Sequence, residues 1–132
     1  MKLITVEAKS DGSVEIKIGS RKLNARNPDS PDETNQSPIP TEMLCASLGA
    51  CIGLMIDEYC RRNSYNDGNV LLSLTYQMGG TPKKIDVITL DIELPKDFPS
   101  EKRKAVLKIA QACPIHATLS HPPRIDIDIV AD

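Results

Sequence analysis

The sequence of 132 residues has no tryptophan and one phenylalanine, and aromatic residues make up 3% of it. Its core must therefore be built from aliphatic side chains, and few rings are available to stack on nucleic-acid bases. A dominant charge sign is also missing, because 16 basic and 18 acidic residues give a net charge of −2. Without a basic surface, nucleic acid is not an expected partner.

Long apolar runs are absent as well. No stretch approaches the roughly 18 apolar residues of a membrane span, and the first six residues, MKLITV, contain neither a leader core nor a cleavage site. We therefore expect a cytoplasmic protein without a membrane partner. The length suits one domain, which we expect to cover residues 1–132.

The first 40 residues predict strands followed by a loop. Short β-branched runs at 3–8 and 13–18, separated by a turn sequence, indicate a hairpin, and 21–25 can add a third strand. Residues 27–40 are almost all polar or proline, so we expect a surface loop that is mobile from 27 to 36.

A long central helix is predicted at 41–62, where apolar residues recur at helical spacing. Pro40 and Glu42 suit the first turn of such a helix. Gly49 and Gly53 lower helix propensity, which suggests close packing against another backbone, and a second central helix is the natural candidate.

The remaining chain predicts a second hairpin and two helices. We expect strands at 70–78 and 85–94, a helix from an N-cap at Ser100 to Ala112, and a short helix from Pro114 to Ser120. Strict alternation at 125–129, IDIDI, predicts a half-exposed strand whose aspartates face solvent.

In a reducing compartment, four cysteines are not expected to form a framework of structural disulfides. Each cysteine taken alone is most simply a small buried hydrophobic residue. We keep that interpretation for Cys45 and Cys60. Cys51 falls on the apolar stripe of the long helix. Cys113 stands before Pro114 at the N-cap of the next helix, a position that favours a thiolate. Cys51 lies several turns from its own helix start, so as a nucleophile it needs a nearby cation.

A metal site is a competing interpretation of the residues near Cys113. Cys113, His116 and His121 match no common zinc spacing, and Pro122 follows at once. We therefore do not expect a metal site there. His116 can act as a proton donor or acceptor, or as a structural hydrogen-bonding residue.

Two segments together resemble the OsmC/Ohr family of hydroperoxide reductases: PTEMLCASLGAC at 40–51 and ACPIHATL at 112–119. The resemblance implies an α+β fold in which two chains interlock, with each long helix beneath antiparallel sheet from both subunits. A homodimer also suits a small chain with a Gly-bearing apolar helix.

The resemblance also implies a function. The first cysteine of the family attacks a hydroperoxide and becomes a sulfenic acid, and the second converts it to a disulfide. Cys51 and Cys113 match these roles. A dithiol such as a dihydrolipoyl group then restores the thiols, in an oxidative stress response that needs no cofactor.

The residues that tune the nucleophile depart from the family pattern. The hydroperoxide-reducing branch has a glutamate ten residues before the first cysteine, whereas Glu42 is nine before Cys51. One residue is a rotation of about 100° on a helix. The partner arginine is missing from the opening turn, and Arg21 and Arg26 are the nearest guanidiniums. The alternative is therefore a dimeric binding protein with an apolar interface pocket and no peroxidase turnover.

Overall fold

A computed structural model describes residues 3–30, 32 and 34–130. The chain has an α+β architecture with two antiparallel sheets. In chain order its elements are β1 (Ile4–Ala8), β2 (Ser13–Ile18), β3 (Arg21–Arg26), α1 (Pro40–Arg62), β4 (Leu71–Gly79), β5 (Lys84–Glu93), a 3₁₀ turn (Ser100–Lys102), α2 (Arg103–Gln111) and α3 (Pro114–Ser120).

The three opening strands form a sheet in the order β1-β2-β3. Val6, Ile16 and Leu23 lie opposite one another, so the alternating apolar residues share one face. The predicted hairpin and third strand are thus confirmed. Within the described residues, these strands pack on each other and make little contact with any other helix or strand. Their apolar face is therefore largely uncovered in the single chain.

The loop between β3 and α1 contains no helix or strand in its described residues, and its asparagines and aspartates accept local backbone hydrogen bonds. Such contacts satisfy a surface loop without an apolar core. Pro31 and Glu33 lie outside the described residues. The mobility of residues 27–36 stays a prediction.

Helix α1 begins as its sequence indicates. Pro40 occupies the first position, and Glu42 Oε1 accepts a hydrogen bond of 2.9 Å from the Ile39 backbone N–H. This contact satisfies a donor that the helix itself cannot pair. At the other end, Arg61 and Arg62 form i,i+4 ion pairs with Asp57 and Glu58.

The core lies where α1 packs against the β4-β5 hairpin, α2 and α3. Its fully or nearly buried members are Leu48, Ile52, Ile56, Cys60, Phe98, Val106 and Cys113.

The two glycines of α1 explain how closely the helix approaches the hairpin. A Cβ added at Gly49 would lie 2.7 Å from Leu74 Cδ1, and one at Gly53 would lie 3.2 Å from Leu72 Cδ1. Close packing at the glycines is thus confirmed, but its partner is strand β4 and not a second central helix. The sequence shows that these two positions of α1 have no side chain, but it does not show which element packs against them.

The second half of the chain differs from the prediction at one helix start and at one predicted strand. Ser100 lies inside a 3₁₀ turn whose N-cap is Pro99, so it does not cap α2. Residues 125–129 form no strand, and Ile125 and Ile129 are 76% and 89% exposed. A strand needs a neighbour for its backbone N–H and C=O groups, and the described part of the single chain pairs none with this segment.

Among the described residues, α1 is long and apolar enough to cross a membrane, with a mean hydropathy of 1.4 over its best window. Run length alone did not reveal this, because scattered polar residues interrupt the apolar positions. The helix packs against β4, α2 and α3. We therefore describe it as the core helix of this fold.

Candidate active site

The structure brings Cys51 and Cys113 together. Cys51 lies midway along α1 and is half-buried, and Cys113 is the fully buried N-cap of α3. Cys51 packs against the core cluster to which Cys113 belongs, and both cysteines are free. Two thiols from distant parts of the sequence therefore meet where α3 begins.

Contact with Cys113 changes the ionisation of Cys51. The pKa of the Cys51 thiol is raised, first by a side-chain hydrogen bond with Cys113, then by burial, and finally by the charge of Cys113. The backbone N–H of Ile115 acts in the opposite direction by hydrogen bonding to the Cys51 sulfur. Among the residues that the structure describes, no cationic side chain contributes.

The start of α3 also acts on Cys51, a thiol that the local sequence of α3 does not point to. Cys113 occupies the predicted N-cap, but its side chain makes no capping hydrogen bond. The Ile115 N–H in the first turn interacts with Cys51 instead. Sequence reasoning missed this group. Pro114 marks the start of the helix, but only tertiary packing decides which side chain meets the unpaired N–H groups there.

We predict that the reactivity of Cys51 rises steeply with pH and is still rising at pH 9.0. The reason is the pKa raised from its ordinary value of 9.0, since the thiolate is the nucleophile. Alkylation of Cys51 by iodoacetamide, followed by peptide mass spectrometry across a pH series, measures this directly. A half-maximal rate below pH 9.0 would contradict the prediction and indicate an additional cationic group at the site.

The other two cysteines remain in the core. Cys45 and Cys60 are both buried, and burial is the first cause that raises the pKa of each thiol. For Cys60, the charges of Asp57 and Asp97 raise the pKa further. This environment agrees with the prediction that both are small buried hydrophobes.

Glu42 lies away from the thiol pair. Its carboxylate caps the start of α1, and the nine residues to Cys51 correspond to about 13 Å of helix rise. Arg26 lines the same small pocket as Glu42, although no ion pair joins them. Glu42 and Arg26 thus line one pocket, and Cys51 and Cys113 meet elsewhere. In the described single chain these two pairs of residues are separate.

His116 lies on α3, one turn beyond Cys113, and lines a pocket of about 780 Å³ between α1, β5, α2 and α3. Its Nδ1 is 3.4 Å from Ser120 Oγ. The pocket wall is mainly aliphatic, and neither Cys51 nor Cys113 belongs to the lining. His116 therefore faces a cavity that neither thiol lines, and no hydrogen bond joins it to either sulfur.

Over the described ranges, the structure contains no group of three or more His, Cys, Asp or Glu residues arranged to hold a metal ion. In particular, Cys113, His116 and His121 do not form such a group.

The protein-family model described as OsmC-like protein matches residues 33–128 of the chain. This match contains all of α1, the β4-β5 hairpin, α2 and α3, together with both cysteines of the pair. The chain belongs to the OsmC-like family.

Solved structures show the same fold for this OsmC-like protein. A candidate osmotic stress induced and detoxification response protein from Psychrobacter arcticus superposes with a TM-score of 0.78 at 18% identity, covering 92% of this chain and 90% of the other. An OsmC-like protein from Mycoplasma pneumoniae gives a TM-score of 0.74 at 19% identity, with coverages of 92% and 89%.

A third structure is named for its function. The organic hydroperoxide resistance protein OhrB of Bacillus subtilis gives a TM-score of 0.58 at 18% identity, covering 92% of each chain. No curated protein sequence matches significantly. At these identities the structural matches establish the fold, and the family includes proteins of hydroperoxide resistance.

Proposed function

We propose that this OsmC-like protein is a thiol-dependent peroxidase that reduces organic hydroperoxides, with hydrogen peroxide as a second substrate. The observation that carries the proposal is the contact between two free thiols, Cys51 and Cys113, at the start of α3. Half-burial leaves Cys51 accessible to a small substrate, whereas fully buried Cys113 is shielded. This difference supports an attacking role for Cys51 and a resolving role for Cys113 in the proposal.

The proposed reaction balances over two steps. The Cys51 thiolate attacks the terminal oxygen of the hydroperoxide, the O–O bond breaks, and the alkoxide leaves and takes up a proton as an alcohol. Cys51 is then a sulfenic acid. The Cys113 sulfur attacks the Cys51 sulfur, the S–O bond breaks, and water leaves as the disulfide forms.

A dithiol reductant completes the cycle in this proposal. One of its sulfurs attacks the Cys51–Cys113 disulfide, and its second sulfur releases the mixed disulfide, so that two electrons return to the protein. A dihydrolipoyl group has the required neighbouring thiols. Neither a metal nor an organic cofactor takes part in any of these steps.

Treatment with one equivalent of an organic hydroperoxide is expected to remove two of the four free thiols in the chain. Titration with a thiol reagent under denaturing conditions measures the loss, and peptide mapping should identify a Cys51–Cys113 disulfide. The buried Cys45 and Cys60 are internal controls that should stay reduced. Retention of all four thiols, or a disulfide between other cysteines, would contradict the proposal.

A binding protein without turnover is the second candidate, and two observations favour it. The raised pKa of Cys51 leaves little thiolate at neutral pH. In addition, the apolar pocket of about 780 Å³ between α1, β5, α2 and α3 has the size of a small-molecule site. Binding of an apolar ligand without thiol loss in the titration above would select this candidate.

We further propose that the chain works as a homodimer, because apolar side chains of β1 and of residues 125–130 are exposed in the single chain. If folding requires the dimer, dilution destabilises the protein. Tenfold dilution is then expected to lower the free energy of unfolding by about 1.4 kcal/mol per mole of dimer. Denaturant unfolding at several protein concentrations measures this, and a midpoint independent of concentration would contradict it.

The free thiols also bear on location. All four cysteines are unpaired, as is usual in a reducing compartment. We propose that residues 1–132 act as one domain in the cytoplasm.

A further inference from the structure

The cavity of about 780 Å³ between α1, β5, α2 and α3 has a charged end at the turn of the β4-β5 hairpin. Its charged lining residues, Lys83, Lys84 and Asp86, lie in that turn and at the start of β5. Thr41 in the first turn of α1 also lines the cavity, and its hydroxyl oxygen is 2.9 Å from that of Tyr76 on β4. The start of α1 therefore lies at the charged end.

An aliphatic wall extends from this end along α1 and β5. On α1 the wall consists of residues one turn apart, Leu44, Leu48 and Ile52. These residues span about 12 Å of helix rise. Every second residue of the facing strand continues the wall on one side of the sheet, namely Ile88, Leu90 and Ile92. Polar groups of α2 and α3 also reach the cavity, at Gln111, His116 and Ser120. The long wall suits an unbranched hydrocarbon chain that lies parallel to α1.

Several apolar side chains that line this cavity are exposed in the described single chain. Leu107 is 61% exposed, Leu44 and Leu119 are each 40% exposed, and Met78 is 39% exposed. Seating an apolar body in the cavity would remove part of this surface from water, which favours binding.

The charged end has one net positive charge, because it contains two lysines and one aspartate. Lys84 Nζ is 3.3 Å from Asp86 Oδ1, so these two charges are paired. Lys83 has no ion pair among the described residues. A single unpaired ammonium next to a carboxylate matches a monoanion better than a group with two negative charges.

We propose that this cavity binds a single-chain carboxylate amphiphile, with its carboxylate at Lys83 and its hydrocarbon chain along the wall formed by Leu44, Leu48 and Ile52. Neither Cys51 nor Cys113 lines the cavity, so the site is separate from the thiol chemistry. The inference rests on the binding function described above as the second candidate, and it names the class of ligand for that function.

Calorimetric titration of the reduced full-length chain with decanoate, without peroxide, tests the proposal. Decanoate is expected to bind at one site per chain. Hexanoate has the same carboxylate and a shorter chain, and it should bind at least about tenfold more weakly, because each fully buried methylene changes affinity about fourfold. Equal affinity for the two acids would overturn the assignment of the chain to the aliphatic wall.

A charge reversal tests the position of the carboxylate. Lys83→Glu is expected to raise the dissociation constant of decanoate by about three- to tenfold, and to leave that of the uncharged decanol unchanged. Lys108→Glu is the matched control, because Lys108 is exposed on α2, does not line the cavity and undergoes the same change of charge. Equal weakening of decanoate binding by both variants would overturn the proposal.

A space-filling substitution tests the position of the hydrocarbon chain. Ala110 lines the cavity from α2, and Ala110→Leu is expected to weaken decanoate and decanol alike by at least about tenfold. Unchanged binding in a folded Ala110→Leu variant would place the ligand elsewhere and overturn the proposal. The exposed Lys83→Glu variant does not alter the core, so the charge test decides the matter if Ala110→Leu does not fold.

The binding and peroxidase proposals can fail separately. Cys51→Ser should bind decanoate as tightly as the wild type, because Cys51 does not line the cavity. If the wild type consumes hydroperoxide but does not bind decanoate, as when a second copy of the chain covers the cavity, the inference is overturned and the peroxidase proposal stands. If decanoate binds and no thiol is lost to hydroperoxide, the inference stands and the peroxidase proposal fails.

Discussion

Cys51→Ser is expected to abolish hydroperoxide consumption, while Cys113→Ser leaves one rapid oxidation per chain and blocks disulfide formation. A serine at position 51 removes the sulfur that attacks the peroxide. A serine at position 113 removes only the thiol that resolves the sulfenic acid. Stopped-flow peroxide consumption, combined with mass spectrometry of trapped Cys51 sulfenic acid, distinguishes the two variants.

The other cysteines provide matched controls for this pair. Cys45→Ala and Cys60→Ala remove buried sulfurs that have no part in the proposed chemistry, so both variants should turn over if they fold. The assignment of roles fails if Cys51→Ser keeps the wild-type rate. It also fails if Cys113→Ser turns over with a dithiol as quickly as the parent protein.

Ile56→Ala is expected to give the largest loss of stability, about 2–5 kcal/mol of unfolding free energy. Ile56 has 0% exposure and lies in the core cluster between α1 and the remaining elements. Its truncation leaves a cavity, and a loss of this size is a large share of the roughly 5–15 kcal/mol typical of a folded domain. Urea unfolding of the variant and the wild type at equal protein concentration measures the difference.

Leu54→Ala is the control on the same helix. Leu54 is 69% exposed in the single chain, so its truncation removes little buried surface and should cost the chain less than about 1 kcal/mol. If Leu54→Ala lowers the free energy of unfolding as much as Ile56→Ala at every protein concentration, the described core does not account for the stability of the protein.

Local patterns in the sequence were enough to locate most elements of the fold. The run of apolar residues at helical spacing predicts α1, and Pro40 and Glu42 mark its start, because periodicity and capping depend on neighbours along the chain. The same reasoning located the opening sheet, the β4-β5 hairpin and α3. The two segments around Cys51 and Cys113 were also sufficient to suggest the OsmC-like family, which the match over residues 33–128 established.

Only the tertiary structure decided which surfaces meet. Gly49 indicates a close approach, but the packing of α1 shows that Leu74 of β4 occupies the space. Alternation at 125–129 describes a strand, whereas strand formation needs a partner strand, and the described single chain pairs none with this segment. Likewise, Pro114 identifies the start of α3, yet the Ile115 N–H, which has no partner within α3, hydrogen-bonds to Cys51 on another helix. Sequence spacing determines the direction of each side chain on its own element, and the contact between elements depends on long-range packing that no local pattern records.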